Sequence, residues 1–217
     1  VVGLGYDLSW QGANGTSTDL RASVHVSSHA LSAREVDCEG VQDDQFDCKR
    51  LGARPDFSVF KFGVEHRREL GDGWRLHAKA DAQLASGPLV AGEQYSLGGA
   101  DNVRGYYDYE QTGDQGWSTQ WSLQTPYWAV ASGWKVAMLT FVDRGHVMLH
   151  DPLSGQVARA NLGSYGLGWR LESTMGLQVG LDVAMPVFKT IRAADGCEFE
   201  AATKKQPRVE VRAQQAF

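Results

Sequence analysis

No stretch of the 217-residue chain approaches the ~18 uninterrupted apolar residues of a membrane-spanning helix, so helical membrane proteins are excluded. A charged n-region followed by an apolar h-region is missing as well. The chain opens VVGLGYDLSW, without Met and already strand-like, so we expect it to be part of a longer polypeptide, and the missing leader says nothing about compartment. Basic charge is in the minority: 21 Lys and Arg stand against 26 Asp and Glu, a formal net charge of −5. That removes the footprint of a nucleic-acid partner. Only three cysteines occur, Cys38, Cys48 and Cys197, with no CxxC or zinc-finger spacing, so no metal framework is expected. No GxSxG elbow or HExxH pair is present, and neither an enzyme nor a cofactor is expected. A sustained 3.6-residue pattern is also absent, which excludes a coiled coil.

What the chain does have is period two. In the first segment Val2, Leu4, Tyr6, Leu8 and Trp10 share one face and Gly3, Gly5, Asp7 and Ser9 the other. Residues 73–85 are cleaner still, with Trp74, Leu76, Ala78, Ala80, Ala82 and Leu84 opposed to Arg75, His77, Lys79, Asp81 and Gln83. Similar alternation marks 18–30, 57–69, 117–128, 134–149, 164–173, 176–188 and 208–217, giving about nine strands. Tight turns rich in glycine or serine fall at 11–17, 70–73, 129–133 and 173–176, and between them lie long polar loops at 31–56, 86–116, 150–163 and 189–207. Short and long connections therefore alternate, the rhythm of an up-and-down barrel of the outer-membrane type, with the long loops extracellular.

The apolar faces admit two arrangements. A soluble barrel turns them inward onto a packed core, and a membrane barrel turns them outward to lipid. Small residues such as Ala78, Ala80 and Ala82 on the apolar face, and charges with many of the 25 glycines on the other, suit a polar lumen and a lipid-facing exterior. Trp10, Trp74, Trp117, Tyr127, Trp128, Trp134 and Phe217 fall near strand ends, as an interfacial girdle requires, although soluble sheets place aromatics there too.

The loop at 86–116 contains EQYSLGGADNVRGYYDYEQTGDQGW, residues 93–117. Gly98, Gly99 and Gly105 admit positive φ and let the loop fold sharply, leaving Arg104 near its tip. Some forty residues on, LTFVDRGHV puts Phe141, Asp143 and Gly145 on one face of a strand. By the alternation from Trp134 that face is the inward one, where a carboxylate needs a partner. These two elements, GGxxxVRGY and FxDxG, resemble the signature of the BamA/TpsB superfamily of outer-membrane barrels. Gly98, Gly99, Val103, Arg104, Gly105 and Tyr106 match the first; Phe141, Asp143 and Gly145 match the second.

The resemblance implies a sixteen-stranded barrel of which this chain is the C-terminal half, with POTRA domains and the earlier strands outside it. It implies that the loop folds back into the lumen and that Arg104 pairs with Asp143. Val209, Val211, Ala213 and the terminal Phe217 are similar to the C-terminal strand that the barrel-assembly machinery reads. The EQYSLGG lead-in and the GDQGW at 113–117 look more like two-partner secretion transporters, the TpsB class of haemolysin secretion and activation proteins. The partners implied are a secreted exoprotein cargo, outer-membrane lipids and the assembly machinery, in the bacterial outer membrane. A BamA-like assembly or insertion factor is the alternative, with a structural porin-like barrel beside it.

Plainer readings hold elsewhere. His25/His29 and His146/His150 lie ~13 Å apart on strands, too far to share a metal, and read as polar lining. The acidic stretch from Asp37 to Asp47 lacks DxDxDG spacing and reads as a solvated loop. Within it Cys38 and Cys48 are either two thiols or a disulfide, which in an oxidising space contributes roughly 3 kcal/mol by closing the loop.

Overall fold

The computed structural model describes residues 1–13, 15–32, 34–200 and 206–215. Strand β1 (Val2–Gln11) turns into β2 (Ser17–Ser27). The first long loop follows, containing α1 (His29–Ser32), a small hairpin of β3 (Glu35–Cys38) and β4 (Val41–Asp44), and α2 (Gln45–Lys49). Strands β5 (Phe57–Gly71) and β6 (Trp74–Ala85) lead to the motif loop, which has its own hairpin of β7 (Tyr95–Leu97) and β8 (Gln111–Gly113). Then come β9 (Gln115–Gln124), β10 (Trp128–Ala131), β11 (Trp134–Met148), β12 (Val157–Ser173), β13 (Leu177–Ala193), β14 (Glu198–Glu200) and β15 (Arg208–Gln215). Among the described residues the long strands form one antiparallel sheet in sequence order, with β14 pairing the upper part of β13 and β15 its lower part. This is an up-and-down transmembrane sheet, a barrel segment whose two edges are not joined to each other among the described residues.

The side chains divide by alternation. On the outer face Leu4, Trp10, Phe60, Phe62, Trp121, Tyr165 and Val211 are all exposed. On the inner face lie most of the charges and glycines, and there the motif loop packs. Leu97, Val103 and Tyr106 of the loop meet Val147, Ala160, Leu162 and Ile191 of the wall in the largest apolar cluster. The apolar core thus joins the loop to the barrel wall and does not fill the barrel.

Charges on the inner face are paired between neighbours. Arg67 lies 3.8 Å from Asp19, Arg75 3.5 Å from Glu69, Lys79 3.5 Å from Asp81, Lys135 2.8 Å from Glu172 and Arg212 3.9 Å from Glu210. Most are half-exposed cross-strand or i, i+2 pairs, each worth only ~0–1 kcal/mol to stability.

Several element ends differ from the alternation pattern. The strand expected over 117–128 stops at Gln124, because Pro126 has no N–H for the ladder. Thr125 bridges the break: its hydroxyl accepts the Met138 N–H at 3.0 Å, and pairing resumes at Trp128↔Val136. β12 begins at Val157, seven residues before the expected 164, and β13 runs to Ala193, five beyond 188. The apolar half of the alternation lapses near Arg159, Asn161 and Arg192, where the strands rise beyond the hydrocarbon, while the backbone ladder continues. The long loops near 150–163 and 189–207 are correspondingly shorter.

The acidic first loop is more than a solvated excursion. Asp44 caps α2 by accepting the Phe46 N–H at 2.8 Å, and Asp47 accepts the Gly52 N–H at 2.6 Å. Phe46 packs edge-on against Phe57, 6.1 Å between centroids, next to buried Val59 and Leu89. Cys38 and Cys48 are joined as a disulfide across a Cα separation of 5.8 Å, and Cys197 is free and exposed. Non-reducing peptide mapping of protein from intact outer membranes is expected to return Cys38 and Cys48 in one linked peptide. Recovery of both as separately alkylated peptides excludes the bridge.

Candidate functional site

The motif loop owes its shape to backbone that only glycine accepts readily. Gly98, Gly99 and Gly105 have φ of 109°, 101° and 87°. A Cβ on Gly99 would collide with the Asp108 carboxylate, and one on Gly105 would lie 3.0 Å from the Ala184 Cβ on the wall. Asn102 closes the tip, accepting the Gly98 N–H at 2.7 Å and donating to the Ser96 carbonyl at 3.1 Å. A bridge between Gly99 and Val103 completes a turn that delivers Arg104 to the inner face of β11.

There Arg104 and Asp143 meet in a fork. Arg104 Nε donates to Asp143 Oδ2 and Nη2 to Oδ1, both at 2.7 Å, and the Arg104 backbone N–H reaches Oδ2 at 3.1 Å. The residues are 7% and 1% exposed. Two parallel charge-assisted bonds fix orientation as well as distance, which a lysine cannot do. The guanidinium lies over the Phe141 ring, 3.6 Å from its centroid, and its Nη1 is 3.8 Å from Asp182 on β13. Asp182 is itself clasped by Arg170 of β12 at 2.7 and 2.9 Å. The pair is therefore the centre of a network spanning β11, β12 and β13.

The wall is shaped to admit the loop. A Cβ on Gly145 would strike the Leu97 side chain and come within 3.0 Å of the Trp117 carbonyl; one on Gly116 would strike Tyr95. Gly166 leaves room for the Phe141 ring. Tyr106 spans the gap on the far side, its hydroxyl donating to the Gly163 carbonyl at 3.0 Å. From the opposite walls Lys79 donates to the Asp101 carbonyl at 2.8 Å, and Gln120 and Arg212 donate to the Ala100 carbonyl at 3.2 and 3.3 Å. Val103, Arg104, Gly105 and Tyr106 thus meet the wall that Phe141, Asp143 and Gly145 belong to, while Gly98 and Gly99 shape the loop turn behind them.

A second knot ties down the base of the loop. Asp114, fully buried, receives both terminal nitrogens of Arg50, one of them at 2.9 Å, and the N–H groups of Leu89 and His150 at 2.9 and 2.7 Å. Arg50 also donates to the carbonyls of Leu89 and His150 at 2.6 and 3.0 Å. Three long loops are joined at one ion pair. Burial by itself pushes the Asp114 carboxyl up. The Arg50 hydrogen bond, the two N–H groups and the Arg50 charge outweigh it and hold the group below the usual carboxylate range.

Neither Arg50 nor Asp182 stands out in the sequence. Asp114 falls within the GDQGW already singled out, but nothing local signals a partner 64 positions away. The alternation of β13 does place Asp182 inward, and an inward carboxylate beside glycine-rich strands is the signal available for it. The histidines are distributed differently: His146 bonds Asn161 at 3.0 Å on the outer face, and His150 bonds the Ala85 carbonyl at 3.0 Å. Phe217, expected as the terminal assembly signal, lies outside the described residues.

Comparison with known proteins gives one family. Haemolysin secretion/activation protein ShlB/FhaC/HecB matches residues 3–171, a span that includes both motifs. No protein of curated function matches the chain. Among solved structures, CdiB from Escherichia coli is similar with a TM-score of 0.68 over 99% of this chain, at 17% identity. The match occupies 36% of the CdiB chain, so the present chain spans about a third of that length. At such identity the likeness speaks for the fold.

Proposed function

From the premise that the chain belongs to the ShlB/FhaC/HecB family of haemolysin secretion/activation proteins, outer-membrane β-barrels of the two-partner secretion class, we propose that it is the C-terminal barrel half of a transporter that secretes a partner exoprotein through its lumen. The observation that carries this reading is the loop held inside the barrel by the Arg104–Asp143 fork. A loop pinned in the lumen by a buried ion pair leaves the wall a part that can be displaced as a whole. A conduit for polypeptide can use one: the loop narrows the lumen when cargo is absent and supplies a moving wall when cargo is present. The cargo travels unfolded, and its folding on the far side provides the drive without nucleotide hydrolysis. Haemolysin activation is a second activity that family membership brings into the proposal.

The assembly-factor alternative is not favoured by the family match. Deleting the gene for the full-length protein tests the two against each other. The transporter reading expects one large exoprotein to disappear from the culture medium while the outer-membrane protein profile stays constant. A general fall in outer-membrane proteins with unchanged secretion would sink it.

A further inference from the structure

The motif loop is held at two depths. Its tip is tied by Arg104 to Asp143, and its stems leave the wall near the top of β11, where a Cβ on Gly113 would lie 2.7 Å from the Met148 carbonyl oxygen. Asp143 and Met148 are five positions apart, ~17 Å along the strand. Asp114 gathers the two stems. Its carboxylate accepts the Leu89 N–H at 2.9 Å and the Gln94 side-chain amide at 3.3 Å, both from the entering stem. Gln83 on the wall donates to the carbonyls of Asp114 and Glu93 at 3.1 and 2.9 Å, one on each stem.

The counter-charge comes from outside the motif loop. Arg50, in the first long loop, reaches both carboxylate oxygens of Asp114 and donates to the Leu89 carbonyl at 2.6 Å, so one guanidinium grips both stems. The two side chains are 14% and 0% exposed. Arg50 is itself held in place. Its N–H donates to the Phe46 carbonyl at 3.0 Å, its carbonyl accepts the Ala53 N–H at 2.9 Å, and Cys48, two positions before it, is bridged to Cys38. Withdrawing Arg50 leaves a buried carboxylate between the stems without its counter-charge, among the costliest defects a fold can carry. Parting the stems and admitting water relieves it.

We propose that Arg50 is a positioning residue for the motif loop: through this one side chain the first long loop keeps the motif loop seated in the lumen, and lifting the first loop releases it. This role deepens the transporter reading, because a loop that moves aside for cargo needs a restraint that the long-loop side can undo. The test reads the position of the loop and not secretion, so the two can fail separately.

The test uses purified full-length protein in detergent, with Cys197→Ser to remove the exposed thiol and Val103→Cys as reporter. Val103 is fully buried in the cluster that joins loop and wall, so a thiol there reacts with a maleimide only when the loop lifts. Arg50→Ala is expected to raise the labelling rate ~10-fold or more, because stranding the buried carboxylate shifts a local opening equilibrium. Arg50→Lys, which keeps the charge but not the fork, should fall between. Lys49→Ala, which removes the neighbouring exposed cation, should leave the rate unchanged. Heat-modifiable migration should be the same for all. If Arg50→Ala does not form a barrel, Arg50→Lys decides, and no rise in its labelling overturns the proposal. A protected reporter thiol in a folded Arg50→Ala barrel whose residues 34–56 are cleaved faster would show that Arg50 serves only its own loop. Equal exposure of the thiol by Lys49→Ala would overturn the proposal as well.

Discussion

Arg104→Ala in the full-length transporter is expected to lower exoprotein secretion ~10-fold or more at matched levels of folded barrel, because removing one partner of a buried pair costs ~3–5 kcal/mol, moderated here by lumen water. Its effect should exceed that of Asp143→Ala. Without Arg104, the Asp143 carboxylate keeps only the backbone N–H of residue 104 among the three donors that face it. Without Asp143, Arg104 can turn towards Asp182, 3.8 Å away, although Arg170 already holds that carboxylate. The double variant should be little worse than Arg104→Ala alone, since the two residues act as a unit. Arg104→Lys should fall between, as it keeps the charge but loses both the fork and the flat contact with Phe141. Heat-modifiable migration of the barrel should be unchanged in all four, because neither residue faces lipid. Additive losses, or unimpaired secretion by Arg104→Ala, would show that the fork does not anchor the transport-competent loop.

Asp114→Ala is expected to loosen the extracellular side of the barrel without dismantling the strands. It strands the Arg50 guanidinium and leaves the N–H groups of Leu89 and His150 without their acceptor. The loss is of the order of 3–5 kcal/mol, so local opening, read as protease cleavage of residues 34–56 and 86–113 on intact cells, should rise roughly 100- to 1,000-fold or more. Asp114→Asn should be milder, keeping one acceptor oxygen. Because the Asp114 pKa is depressed when the loops are docked, the contribution is fully present above the ordinary carboxylate value, ~3.9, and is lost as pH falls through the depressed value. Cleavage of the unchanged protein should therefore stay constant from pH 7 to pH 5 and rise only in stronger acid. Unchanged cleavage of the Asp114→Ala loops would mean that the apolar contacts of Phe46, Phe57 and Leu89 suffice to hold them.

The sequence was most legible where lipid imposes a rule. Residues 74–84 alternate without exception because every outward position is apolar and every inward one meets the polar lumen or the motif loop, and the strand there is Trp74–Ala85. Legibility falls where that rule lapses. Arg159 and Arg192 lie on a continuous ladder, yet their polar side chains read as loop. The Arg50–Asp114 knot was invisible for a different reason, since long-range ion pairs leave no periodic trace. Arg104 and Asp143 were legible only because the two motifs resemble a known pattern; the inward placement of Asp143 followed from alternation, but the choice of its partner did not. The glycines show both sides. Gly98, Gly99 and Gly105 announce a sharply folded loop, whereas Gly116, Gly145 and Gly166 reveal their purpose only when Tyr95, Leu97 and Phe141 occupy the space beside them.

The paired charges of the inner face have a consequence for anything that moves past them. Arg67, Arg75, Lys79, Lys135 and Arg212 each stand within 3.9 Å of a carboxylate, so at these positions the wall presents small local dipoles and not single charges. Dipole potentials fall off faster than those of single charges, and salt shortens them further, with a Debye length of ~8 Å at physiological ionic strength. A passing chain therefore meets shallow traps a few ångströms across, whichever charge it bears. Under the proposed transport role, such a surface gives neither a lysine-rich nor an aspartate-rich stretch of cargo a deep resting place.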